Sequence, residues 1–151
     1  MSRSSFYSQF KDLGDVAVQL VRELYVELQQ RDAELREKGG AEEAARSSTE
    51  MLIQEFQQRR NLYAAVLGGG ATISAQWEVC EIMAEGALES VGPLVPEGIN
   101  PVFAAKYIAA GVLASLIDWI NGEVQCDEAT LLDQIVTMLP DWVIASPTTT
   151  P

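Results

Sequence analysis

A chain of 151 residues, 48% hydrophobic with a mean hydropathy of +0.05, has the material for one folded domain and is too apolar for a disordered one. Its net charge is −12, unevenly spread: residues 1–60 hold nine of the ten Lys/Arg against eleven acids, and residues 61–151 hold one Lys against eleven. An acidic body repels nucleic acid, so any DNA contact is expected from the N-terminal end. The chain has no histidine, and its two cysteines, Cys80 and Cys126, lie far apart, which speaks against the usual zinc sites and removes the commonest general base.

From the N-terminus, Ser2, Ser4 and Ser5 can cap a helix start, and Phe6, Tyr7 and Phe10 give that short helix an apolar side. After the turn at Lys11-Asp12 comes a long helix from Leu13 to Lys38, with Leu13, Val16, Ala17, Leu20, Leu24, Leu28 and Leu35 spaced for one buried face. Its second half, Gln29 to Lys38, is almost wholly polar and is expected to be solvated, with Arg31, Glu34, Glu37 and Lys38 on an exposed face. Gly39-Gly40 stops it.

A helix from Ala41 to Leu67 follows, loosened at Ser47-Ser48-Thr49, with Leu52, Phe56, Tyr63 and Leu67 as its stripe and Ile53 and Val66 beside it. Arg59-Arg60 reads as a surface feature or as partners for nearby acids. Gly68-Gly69-Gly70 breaks the helix and lacks the Lys-Ser/Thr of a phosphate loop. Thr72 to Val91 forms the next helix, its stripe being Ile73, Trp77, Cys80, Ala84, Ala87, Leu88 and Val91, with Val79, Ile82 and Met83 widening the arc. Glu78, Glu81, Glu85 and Glu89 repel one another along one edge, which is expected to be wet.

Asn100-Pro101 starts a helix to Ile120 that is apolar nearly all round and thinned by Ala and Gly. Such a helix needs cover on every side, within the subunit or against a second one. Its longest uncharged run, Tyr107 to Ile117, falls short of the roughly 18 residues needed to span a bilayer. Asp127 caps a final helix carrying Leu131, Leu132, Ile135, Met138 and Leu139; Trp142 to Ala145 is expected to pack, and residues 146–151 to be a disordered tail. No basic region followed by an apolar stretch opens the chain, so the expected place is the cytoplasm, with no membrane partner.

The string Ser2-Arg3-Ser4-Ser5-Phe6-Tyr7-Ser8-Gln9-Phe10-Lys11-Asp12 resembles the end of the DNA-reading helix of tetracycline-repressor-like (TetR) regulators. Tyr107 to Ile120 is similar, more weakly, to that family's penultimate helix. Gln9 departs from the family's usual His, Leu13 from its usual Lys, and the first two helices of the helix-turn-helix head have no counterpart after Met1. The resemblance implies an all-α fold: a ligand-binding and dimerisation bundle over residues 13–145 behind a remnant of the DNA-binding head at 1–12. By motif position it assigns DNA contacts to Arg3, Ser5, Tyr7, Gln9 and Lys11, with duplex DNA a partner only if the missing head helices exist. The alternative is that Phe6, Tyr7 and Phe10 fold back on the body or fray.

The function the resemblance implies is a ligand-responsive transcriptional regulator, a repressor, working as a homodimer that takes a small apolar or aromatic effector. The middle helices would enclose the effector, with Tyr25, Phe56, Tyr63, Trp77, Cys80, Met83 and Tyr107 combining apolar walls with a few polar tips; each also fits plain core at its spacing. Ala110, Gly111, Ala114, Asp118, Leu131, Ile135 and Met138 are the expected dimer interface, a two-fold four-helix contact. A different class, a helical dimerisation or interaction module that binds no DNA, is favoured by the truncated head and the net charge of −12. An enzyme is not expected, for want of a base, a metal spacing or a nucleophile motif, and no cofactor is expected.

Overall fold

The computed structural model describes residues 12–68 and 73–145, and these are all-α. Seven helices run in order: α1 (Leu13–Glu37), α2 (Ala41–Gln58), α3 (Arg60–Leu67), α4 (Ile73–Val91), α5 (Pro101–Ile120), α6 (Glu128–Met138) and α7 (Asp141–Ile144). A 3-10 turn at Gly92–Leu94 follows α4.

The helix ends follow from local chemistry. Asp12 accepts from the Asp15 N–H at 3.0 Å and opens α1, while Asn100 accepts from the N–H groups of Val102 and Phe103 and opens α5. Asp127 opens α6 by accepting from Thr130 N–H, and hydrogen bonding from the Thr130 side chain and then from its N–H lowers the Asp127 carboxyl pKa. At the other end of α1, Gly39 turns to φ +82° so that its N–H reaches Arg36 O and the Gly40 N–H reaches Leu35 O. This paired closure needs the left-handed backbone that glycine adopts cheaply.

Packing centres on α4, which lies against α5 on one side and α1 on the other; α1 also packs on α2, and α2 carries α6 and α7. Helices α1 and α4 run in the same direction, since Gly14 approaches Ala75, Tyr25 approaches Gly86 and Gln29 bonds Glu89. Between them the core closes on Val21, Ile53, Phe56, Tyr63, Leu67, Val79, Met83 and Leu116, all at most 2% exposed. Each of the larger of these side chains contributes about 1.5–3 kcal/mol by leaving water.

Several features differ from the expectations. The inner face of α1 buries Val16, Ala17 and Leu28 of the expected stripe but also Val18, Val21, Tyr25 and Asp32, a rotation that leaves Leu13 exposed and Leu20 and Leu24 half-buried. Over the polar residues 29–38, Arg31, Glu34, Glu37 and Lys38 are exposed as expected, but Asp32 and Arg36 on the inner face are withdrawn from solvent.

The helix expected through Ala41–Leu67 is unbroken at Ser47-Ser48-Thr49 and breaks instead at Arg59. Thr49 Oγ1 merely bonds back to Ala45 O, whereas the break lets Arg60 donate to Trp119 O and Ile120 O at the end of α5. Helix α4 buries Cys80, Ala84 and Val91 of the expected stripe together with Ala75, Val79, Ile82, Met83 and Gly86, but turns Ile73 and Trp77 to solvent.

Leu131 and Ile135, expected at a dimer interface, are buried in the subunit's own core. Helix α5 is long and apolar enough to cross a membrane, counting length and composition alone. Its Ala105, Ala109, Leu113 and Leu116 are buried in the fold, and Lys106 in its N-terminal third pairs with Glu81 of α4.

Candidate functional site

A cavity of about 100 Å³, open along one side, lies where α1, α2, α4, α5 and α7 converge. It exists because small residues stand at the helix crossings. Ala45, Gly86, Ala87 and Ala109 line it together with larger apolar groups, among them Leu28, Leu52, Met83 and Val91. Gly86 lets the Tyr25 ring lie directly on the α4 backbone, where a Cβ would sit 2.4 Å from Tyr25 Cδ1.

One end is polar. Asp32, on the inner face of α1 one turn beyond Leu28, accepts from Arg36 Nε at 2.9 Å and from Ser48 Oγ at 3.2 Å. Arg36 Nη1 donates to Val143 O at 2.9 Å, so the pair ties α1 to α2 and α7. The side chains of Asp32 and Arg36 are 4% and 14% exposed, and an ion pair so far from water persists only when its remaining polar atoms are satisfied. Among the described residues every deeply buried side-chain polar atom has a partner.

The structure divides the seven residues expected to line a pocket. Tyr25 and Met83 line the cavity. Phe56 and Tyr63 are fully buried and stacked on each other in the core, where Tyr63 donates to Glu55; burial and that bond push its hydroxyl pKa up. Cys80 is a buried free thiol beside Tyr25, whose pKa burial and then Cys80 raise. Trp77, 60% exposed beneath the Lys106 ammonium, and Tyr107, 75% exposed, are surface residues. Both were expected inward, and the helix rotations turn them out.

Asp32, Arg36 and Ser48 went unrecognised because they sit in polar runs. The available signal was their register: Tyr25, Leu28, Asp32 and Arg36 continue one face of α1 at spacings of three and four.

The second feature is the outer face of α5. Phe103, Tyr107, Ala110, Gly111, Ala114 and Asp118 are exposed along one stripe, and Met138 of α6 is exposed across from it. Between α5 and α6 runs a groove of about 570 Å³. Ile108, Val112 and Leu139 line both this groove and the inner cavity. Arg3, Ser5, Tyr7, Gln9 and Lys11, with the rest of the head and the tail 146–151, lie outside the described residues. Among the described residues no three His, Cys, Asp or Glu side chains gather as a metal site.

Comparison with protein-family models, curated proteins and solved structures returns no match.

Proposed function

We propose that this chain is the effector-binding and dimerisation part of a ligand-responsive transcriptional repressor of the TetR-like kind, acting in the cytoplasm. The observation that carries the reading is the cavity between α1, α2, α4, α5 and α7, with apolar walls and one polar end, sharing three side chains with a groove on the outer face. Pockets of that make-up suit small, largely apolar molecules. The exposed stripe Phe103, Tyr107, Ala110, Gly111 and Ala114, with small residues at its centre, suits close approach of a second copy of α5 around a two-fold axis. DNA contact in this reading belongs to Arg3, Ser5, Tyr7, Gln9 and Lys11. No catalytic step and no cofactor are part of it.

The test is thermal unfolding of the chain with a broad panel of apolar and aromatic metabolites. A ligand that binds the folded state raises the midpoint with concentration, by linkage. If the whole panel leaves the midpoint where it was, the effector reading is wrong.

A second reading, a helical interaction module that binds no DNA, is favoured by the same exposed stripe and by the acidity of residues 61–151. Titration against duplex DNA at low salt bears on the two: binding with a steep salt dependence means a working DNA-reading head and overturns the module reading, which expects none.

A further inference from the structure

We infer that the cavity selects small uncharged ligands with a one-ring apolar body and a single hydroxyl or carbonyl oxygen, and that Asp32 is the residue that turns organic anions away. This rests on the reading that the cavity is a ligand site. The size comes first: about 100 Å³ is somewhat less than the roughly 150 Å³ of an engineered protein cavity that holds benzene, so a ring fits with an edge toward the open side. Apolar side chains make up most of the wall, which favours the ring.

The polar end decides the charge. Arg36 would attract a carboxylate, but Asp32 already occupies its Nε and neutralises it, and Asp32's second oxygen is held by Ser48. An organic anion entering here brings a second negative charge beside Asp32. A cation meets the Arg36 guanidinium, whose charge already balances that of Asp32. Either ion loses its water without gaining a counter-ion, which a neutral molecule never needs.

A single oxygen is nonetheless accommodated. Of the five N–H donors of Arg36, the bonds to Asp32 and Val143 use two. Ser48, having given its proton to Asp32, still accepts.

Four probes of one ring size test this with the whole chain near neutral pH: toluene, benzyl alcohol, benzoate and benzylammonium, read by calorimetric titration and by thermal midpoint. Toluene and benzyl alcohol bind, benzyl alcohol the tighter, and each ion binds at least about tenfold more weakly than benzyl alcohol. The isosteric Asp32→Asn variant leaves the Arg36 charge uncompensated, so benzoate gains at least about tenfold relative to benzyl alcohol.

A wild-type preference for either ion over benzyl alcohol overturns the inference and leaves the cavity standing as a ligand site. A folded D32N with the wild-type order of probes overturns the role given to Asp32. Should D32N not fold, the wild-type order alone decides the ligand class, and Ser48→Ala, which frees one Asp32 oxygen, decides Asp32's role by improved binding of benzylammonium. If none of the four probes binds, the ligand-site reading falls and the inference with it.

Discussion

Phe56 and Tyr63 stack face to face across the break between α2 and α3, their ring centroids 4.3 Å apart and their planes 7° from parallel. The stack, with Tyr63 donating to Glu55 at 2.8 Å, keeps the two helices on one line of the core although the backbone turns at Arg59. Tyr63→Phe retains the stack and removes the hydrogen bond, so it is expected to cost about 1 kcal/mol, while Tyr63→Ala leaves a cavity and costs about 3–5 kcal/mol. Urea unfolding of the two variants checks this. Equal losses would mean that the ring's packing contributes nothing beyond the hydroxyl's bond.

That break also marks where sequence reasoning stopped. Elements bounded by their own residues were legible: Asn100-Pro101 opens α5, Gly39-Gly40 closes α1 and Asp127 caps α6, because a cap is a contact between near neighbours. Arg59 carries no such mark. Its turn serves Arg60, whose partners lie some sixty residues away in α5. The cavity was half legible for the same reason. Tyr25 and Met83 stood out as large residues at helical spacing, whereas Asp32 and Arg36 looked solvated until Ser48 and Val143 were brought against them from other helices.

Arg60 closes the end of α5 from outside, donating to Trp119 O at 2.8 Å and Ile120 O at 3.3 Å with its guanidinium 5.1 Å from the centre of the Trp119 ring. The last carbonyls of a helix carry partial negative charge and need donors. Arg60→Leu is therefore expected to cost about 1–3 kcal/mol. Arg60→Lys, which keeps the charge and loses the fork, should recover less than half of that. Denaturant midpoints of the three proteins decide it, and a Leu variant as stable as wild type would show that water serves those carbonyls as well.

Alkaline pH should unfold the protein through Tyr25 and Tyr63. Both hydroxyls are held above the ordinary tyrosine value near 10, Tyr25 by burial and Cys80, Tyr63 by burial and Glu55. A raised folded-state pKa leaves stability intact below the unfolded value, and removes it as pH climbs from there toward the folded value. Each tyrosine then subtracts about 1.4 kcal/mol per pH unit above about pH 10. Tyrosinate absorbance should show these two rings ionising only together with loss of helix. A Tyr63→Phe protein should have a shallower alkaline slope, whatever its stability at neutral pH, and an unchanged slope would contradict the assignment.

Gly86→Ala separates helix propensity from packing. Alanine is worth about 1 kcal/mol over glycine inside a helix, so the backbone alone favours the change. At this position the new Cβ would lie 2.4 and 2.5 Å from Tyr25 Cδ1 and Cε1, and the Tyr25 ring is 8% exposed with the cavity on one side. The ring must tilt toward the cavity or α1 must lift from α4, and strain of that kind costs about 1–3 kcal/mol. The net is expected to be destabilising, with ligand protection weakened as the cavity shrinks. In the Tyr25→Leu background the clash is gone, so the same Gly86→Ala change should turn neutral or stabilising, and a double-mutant cycle measures the coupling. Additive effects of the two substitutions would mean that the ring relaxes freely and that Gly86 is not what holds Tyr25 against the cavity wall.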